Sequence, residues 1–419
     1  MSQRLLSLSI PRRMVLLGAL FAAAACAGDP SGTRAPAPVQ AHWQELPSPA
    51  PPGSAEAHLA VEAGGALYLS WIEPGNDGAQ ALRFARLAPG ATQWSEPRTV
   101  VERQDLFVNW ADFPSLLPTR DGRLVAHWLQ KSGPDTYAYA VRIAQSRDGG
   151  SRWSEARVLH DDDLAAEHGF VSLWESAQGE VQAVWLDGRH TVQPDAEPRM
   201  QLGFTTLSSE GVPGPTELID TRTCDCCQTD AAVAAEGPVV AYRDRSDAEV
   251  RDIQVLRRVG GVWAAPVLVH ADGWQIEGCP VNGPAIAARA GRVAVAWFTG
   301  AQSRERVSLA FSADGGASFG PPVAVDEGKP LGRVDLVLDA AGDAIVSWLE
   351  RGEGDGARVL LRRVRAEGTR SAPLEVARTG ASRASGFPRM VAVEDAVVLA
   401  WTDASVPKRV RLARARPAP

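Results

Sequence analysis

The chain is poor in cysteine, methionine and tyrosine, with 5, 4 and 4 in 419 residues. So few cysteines over such a length exclude a small disulfide-held scaffold, and a 45% hydrophobic composition leaves ample material for an apolar core. A net positive charge is also missing. The formal net charge is -7 with both signs mixed along the chain, which excludes the phosphate footprint of a nucleic-acid-binding protein. Beyond residue 25 there is no apolar run long enough to cross a bilayer as a helix.

The one long apolar run, Met14 to Ala25, follows Arg4, Arg12 and Arg13 and ends in small residues, the pattern of an export segment. Ala23-Ala24-Ala25-Cys26 resembles the cleavage box of bacterial lipoproteins. That resemblance implies a lipid on Cys26 and a mature chain held at a membrane, in the periplasm or on the cell surface. The alternative is plain secretion after an Ala-x-Ala cleavage. Residues 27–41 are rich in Pro, Ser, Thr and Ala and read as a flexible tether, which leaves 42–419 as a single domain.

What the chain does have is a repeat. Val181 to Asp187 alternates small and large apolar side chains, ends in an aromatic and an acid, and reads as a buried strand. The same stretch recurs around Trp71, Trp128, Trp185, Tyr242, Trp297, Trp348 and Trp401, at separations of 57, 57, 57, 55, 51 and 53 residues. A period this steady marks a repeat architecture. Each unit divides into four strands; in the third these are 169–175, 181–187, 200–206 and 215–219. The seventh unit lacks its fourth strand, but Trp43-Gln44-Glu45-Leu46-Pro47 looks like the fourth strand at Trp94-Ser95-Glu96-Pro97. The predicted fold is therefore an all-β, seven-bladed β-propeller of four-stranded blades, the last closed by the N-terminal strand so that no sheet edge is left unpaired at the closure.

Between third and fourth strands lie Ser146-Arg147-Asp148-Gly149-Gly150-Ser151-Arg152-Trp153 and Ser312-Ala313-Asp314-Gly315-Gly316-Ala317-Ser318-Phe319. Both match Ser-x-Asp-x-Gly-x-x-aromatic, and the chain thereby resembles the Asp-box (BNR-repeat) propellers of the sialidase superfamily. The Asp caps backbone N–H groups, Gly takes left-handed positions, and the aromatic packs beneath a strand. The resemblance covers about Trp43 to Arg416 and implies fold rather than activity.

In such a ring the loops after second strands and those joining successive blades converge on one face. The densest polar cluster expected there runs from Cys224 to Asn282 and holds Cys224, Cys226, Cys227 and Cys279, every cysteine after Cys26. Three readings are open for them. Disulfides suit an exported chain, with a bridge from one of the first three to Cys279 favoured over a strained bond between adjacent Cys226 and Cys227. Cys224-x-x-Cys227 also has ligand spacing for a soft metal, Cu or Zn, and a redox-active thiol is the third reading.

The sialidase resemblance implies an arginine clamp for a substrate carboxylate, a Tyr nucleophile paired with a Glu, and an Asp acid/base. By loop placement, Arg189, Arg243 and Arg251 are clamp candidates. Tyr242 pairs with Glu249 or Glu277, and Asp112 or Asp187 serves as acid/base. Tyr242 also occupies the repeat's core position, and Arg243 with Asp244 reads equally as an ion pair. Trp110 and Trp274 lie outside the repeat and, with Asp244 and Asn282, are candidate ligand contacts. Two functions follow: a propeller that binds a small molecule, glycan or protein at a Cys-rich channel mouth, or an exo-sialidase-like glycoside hydrolase acting on acidic sugars.

Overall fold

The computed structural model describes residues 42–193 and 197–418. The export segment, the proposed lipid site Cys26 and residues 27–41 of the tether lie outside the described residues.

The described chain forms seven antiparallel sheets. In the third blade the strands are His168–Glu175, Val181–Asp187, Met200–Leu207 and Glu217–Thr223, paired in sequence order. The other blades repeat this order, except that the fourth blade's outer strand is split into Val262–Trp263 and Val267–Leu268. The seventh blade is completed by the N-terminal strand His42–Leu46, which pairs with Arg409–Arg416 from His42 opposite Arg416 to Leu46 opposite Leu412. Arg411 clamps Glu45 with two bonds of 2.8 Å, adding a charge-assisted tie to the closure.

The recurring aromatic explains both the period and the acid that follows it. Trp71, Trp185, Trp297 and Trp348 are fully buried, and each indole N–H needs an acceptor there. Trp71 donates to Glu73 at 2.6 Å, Trp185 to Asp187 at 3.0 Å and Trp348 to Glu350 at 2.6 Å, so the acid two residues on belongs to the core. Trp297 has no acid at that position and reaches Asp272 at 2.6 Å instead.

Around the channel, blades are stitched by aspartates. Asp112 Oδ1 accepts Phe170 N–H at 2.7 Å, Asp230 Oδ2 accepts Ile286 N–H at 2.8 Å and Asp335 Oδ2 accepts Met390 N–H at 2.6 Å. Innermost strands of the first, third and sixth blades carry bulges at Ala55/His58, Gly169/Ser172 and Gly332/Asp335. Glu56, Phe170 and Arg333 sit in these bulges with left-handed φ of 50°, 55° and 53°. Bulges re-aim side chains, and here Phe170 joins an apolar cluster with Phe387 and Cys226 while Arg333 reaches over Trp110.

The two Gly-Gly turns share one bonding pattern. Ser146 Oγ accepts Gly150 N–H and Asp148 Oδ1 accepts Arg152 N–H, at 2.8 and 2.9 Å. Ser312 and Asp314 do the same for Gly316 and Ser318, at 2.8 and 2.9 Å.

Candidate functional site: a roofed channel mouth

Three loops converge at the mouth and are bonded to one another. Cys224 N–H donates to Arg243 O at 3.0 Å, Arg251 N–H to Trp274 O at 2.9 Å, and Ile276 N–H to Glu249 O at 3.1 Å. These join the linker between the third and fourth blades, the hairpin of the fourth, and the linker to the fifth. All four cysteines are paired as Cys224–Cys227 and Cys226–Cys279, with Cα separations of 5.8 and 6.0 Å. The pairing includes the expected bridge to Cys279 and avoids the adjacent pair. It leaves no thiolate among the four, so this donor set does not fit Cu or Zn, which take thiolate rather than disulfide sulfur.

Arg243 lies at the centre of this weld. It is 1% exposed, stacks 4.8 Å from the Trp274 ring, and donates to Asn282 O at 3.0 and 2.8 Å, to Arg251 O at 2.6 Å and to Phe298 O at 2.6 Å. Burial pushes its guanidinium down to about 9. With four of its five N–H groups on backbone carbonyls and the side chain buried, this guanidinium is not presented to a substrate carboxylate. Arg251 donates to Glu249 at 2.9 Å and faces Cys224 Sγ at 3.6 Å. Arg189 is held by Asp187 at 2.8 and 2.9 Å and by Asp161 at 3.0 Å. Arg243 and Arg251 are joined through the Arg251 carbonyl, but the Arg251 guanidinium is turned to Glu249 and Cys224 and Arg189 is held by Asp187 and Asp161, so the three guanidiniums are each engaged within the fold.

Tyr242, Glu249 and Asp187 are likewise bonded within the fold. Tyr242 OH reaches the outer strand of the third blade and donates to Asp220 at 2.5 Å; burial raises its phenol far above the ordinary range. Glu249 is pulled down to about 2 by hydrogen bonds from Arg245 and Arg251. Glu277 is an exposed loop residue. Asp187 is the buried acid of the Trp185 repeat, a role its place two residues after the aromatic foretells. Trp274 is 8% exposed, with Arg243 on its ring, and offers no free face. Asp244 bonds Gln254, and burial lifts its carboxyl to about 6. Asn282 Oδ1 accepts Arg333 N–H at 2.7 Å, fastening the linker to the sixth blade.

The mouth is roofed. Gln228 spans it, donating to Ala111 O at 2.7 Å and accepting Gly283 N–H at 2.9 Å. A Cβ on Gly283 would lie 2.0 Å from Gln228 O, so only glycine allows this approach. Beneath the roof is a chamber of about 240 Å³ lined in part by Asp112, Phe170, Gln228, Asp230 and Arg389.

At the rim, Trp110 is half-buried, with Phe387 stacked at 5.8 Å. Arg333 lies 4.7 Å and Arg383 5.9 Å from the Trp110 ring centroid. Arg333 is buried and turns Nη1 to Ser382, Ser385 and Gly386, whereas the Arg383 residue is exposed.

Two clusters were not foreseen as units. Tyr139 OH lies 3.1 Å from Asp112 Oδ2 and 2.8 Å from Glu167 Oε1. One phenol hydrogen cannot serve two carboxylates, so the set is satisfied when one carboxyl holds a proton. Burial lifts Asp112 to about 8, and burial with the Asp225 charge lifts Glu167 to about 7. In the second cluster, His160 and His168 stack at 3.7 Å, each 3.2 Å from Asp162 Oδ2. Their planes are 6° apart, and His160 Nδ1 and His168 Nε2 both face that one carboxylate oxygen.

No protein-family model matches the chain, and neither does any curated protein. Solved structures do. An ulvan lyase bound to a glucuronate–rhamnose sulfate ligand aligns over 88% of this chain and 95% of its own, at 12% identity and a TM-score of 0.58. The polysaccharide lyase Uly1 aligns over 87% and 90%, at 10% identity and a TM-score of 0.53. What is shared is the propeller fold. The NanB sialidase of Streptococcus pneumoniae aligns more loosely, over 90% and 92% at 8% identity and a TM-score of 0.44.

Proposed function

We propose that the protein is an exported binding propeller whose working surface is the disulfide-tied channel mouth, with an acidic glycan as ligand. The observation that carries this reading is the pairing of half-buried Trp110 with exposed Arg383 on a rim welded by two disulfides and Arg243. An aromatic edge offers apolar contact to a sugar, a guanidinium pairs with its carboxylate or sulfate, and a rim fixed beforehand spends little free energy on ordering. The lyases of similar fold act on polysaccharides by their names, which supports a glycan over a protein as the partner. The test is a glycan array of uronate-, sulfate- and sialate-bearing oligosaccharides, probed with wild type, Trp110→Ala and Arg383→Ala. Selective binding lost in both variants supports the reading; binding unchanged in both refutes it. Anchoring at Cys26 is part of the proposal. Fatty-acid labelling that persists in Cys26→Ser would refute that part.

A second reading, glycoside hydrolysis, is favoured by Asp112, Tyr139 and Glu167. With the two carboxyls lifted to about 8 and 7, largely by burial, the set keeps a proton at neutral pH, as a general acid requires. Turnover of sialosides or uronosides abolished by Glu167→Gln would establish it. Absence of turnover with binding intact leaves the first reading.

A further inference from the structure

We propose that the two disulfides form a coupled thiol–disulfide exchange centre that accepts two electrons from an external dithiol. The inference goes beyond ligand binding and does not depend on it. Three observations carry it. First, the Sγ atoms of Cys224, Cys226 and Cys227 all lie within 4.8 Å of one another although they belong to two different bridges. Second, access is graded: Cys279 is exposed, Cys226 is 9% exposed, and Cys224 and Cys227 are each 1% exposed. Third, the Arg251 guanidinium, itself 3% exposed, lies 3.6 Å from Cys224 Sγ, where it stabilises a thiolate.

A reaction sequence follows. A thiolate of the dithiol attacks Cys279 Sγ, forming a mixed disulfide and breaking the bond to Cys226, which leaves as a thiolate. The donor's second thiolate attacks its own sulfur in the mixed disulfide. The donor departs as a disulfide, and Cys279 becomes a thiolate that takes up a proton. The Cys226 thiolate then attacks Cys227 Sγ, breaking the Cys224–Cys227 bond, and Cys224 leaves as a thiolate facing Arg251. Leaving is faster from the sulfur whose thiolate is better stabilised, which selects Cys224. Two electrons have passed from the dithiol to the protein. The new bridge between adjacent Cys226 and Cys227 is strained and is a ready acceptor for a second dithiol. The exposed bridge is the entry and the buried pair the store.

The first test uses the unaltered chain. The chain from Ala27, oxidised, is treated with less than one equivalent of dithiothreitol, acid-quenched, alkylated and mapped by peptide mass. The proposal expects the labels of the singly reduced form on Cys279 and Cys224, with Cys226 protected. Labels on Cys279 and Cys226, with Cys224–Cys227 intact, would overturn it; so would thiols appearing only on unfolding. In Cys279→Ser, oxidised without any donor, the free thiol is expected at Cys224; finding it at Cys226 counts against the internal step. Arg251→Gln is expected to shift label from Cys224 to Cys226 by roughly tenfold. An unchanged ratio would remove Arg251 from the proposal.

Discussion

Replacing Asp112 by Asn changes how stability depends on pH, and the sign follows from the buried carboxyl. Asp112 is fully buried, and its folded-state value near 8 stands well above its ordinary 3.8. Between those values the folded protein binds more protons than the unfolded chain, so stability is highest below about pH 4 and falls as pH rises toward 8. Four units at about 1.4 kcal/mol each set a ceiling of about 6 kcal/mol on that loss. Relaxation around the buried charge lowers that figure, so we expect a loss of about 2 kcal/mol or more, a drop of several degrees in Tm between pH 5 and 8. Asn keeps an oxygen for Phe170 N–H and carries no charge, so Asp112→Asn should remove this component while other groups keep theirs. The assay is thermal and urea unfolding of both proteins from pH 4.5 to 8.5. Parallel profiles, or a wild type that gains from Asp112 on going to pH 8, would refute the argument.

Arg243→Ala should cost about 3 kcal/mol or more, since three backbone carbonyls and the Trp274 ring lose their partner, and urea unfolding measures it. Tyr242→Phe leaves Asp220 without its donor and should cost about 1–3 kcal/mol in the same assay, with no effect on any glycan turnover. Gly169→Ala would place a Cβ 1.9 Å from Asp112 Oδ2 and should lower Tm by several degrees, read by calorimetry. Deleting residues 42–46 exposes the edge of Arg409–Arg416 and should give a less stable, self-associating protein by light scattering.

The fold was legible because one constraint repeats. A large aromatic buried at a fixed place in each unit sets the period, and a missing outer strand at one end matched a spare one at the other. The split outer strand of the fourth blade was not legible, since the pairing of Val262–Trp263 follows directly from the Gly260-Gly261 turn and resumes only at Val267–Leu268. Residues of the mouth were located as a group but not in their roles. Asp187 carried a signal, the acid two residues after Trp185, that reads as core once compared with Glu73 and Glu350. Arg243 carried none: its partners are carbonyls of Arg251, Asn282 and Phe298, and carbonyls have no sequence signature. Tyr139 and Glu167 escaped notice because they come from a strand start and a linker, joined only by the blade packing that sets Tyr139 opposite Glu167.

Hydrogen–deuterium exchange of the oxidised chain, with and without a saturating acidic oligosaccharide, tests most directly where this protein works. Binding at the mouth predicts added protection in peptides containing 109–113 and 383–387, with the turns at 146–153 and 312–319 unchanged. Protection centred on those turns, or none at the rim despite saturation, would contradict the assignment of function to the channel mouth.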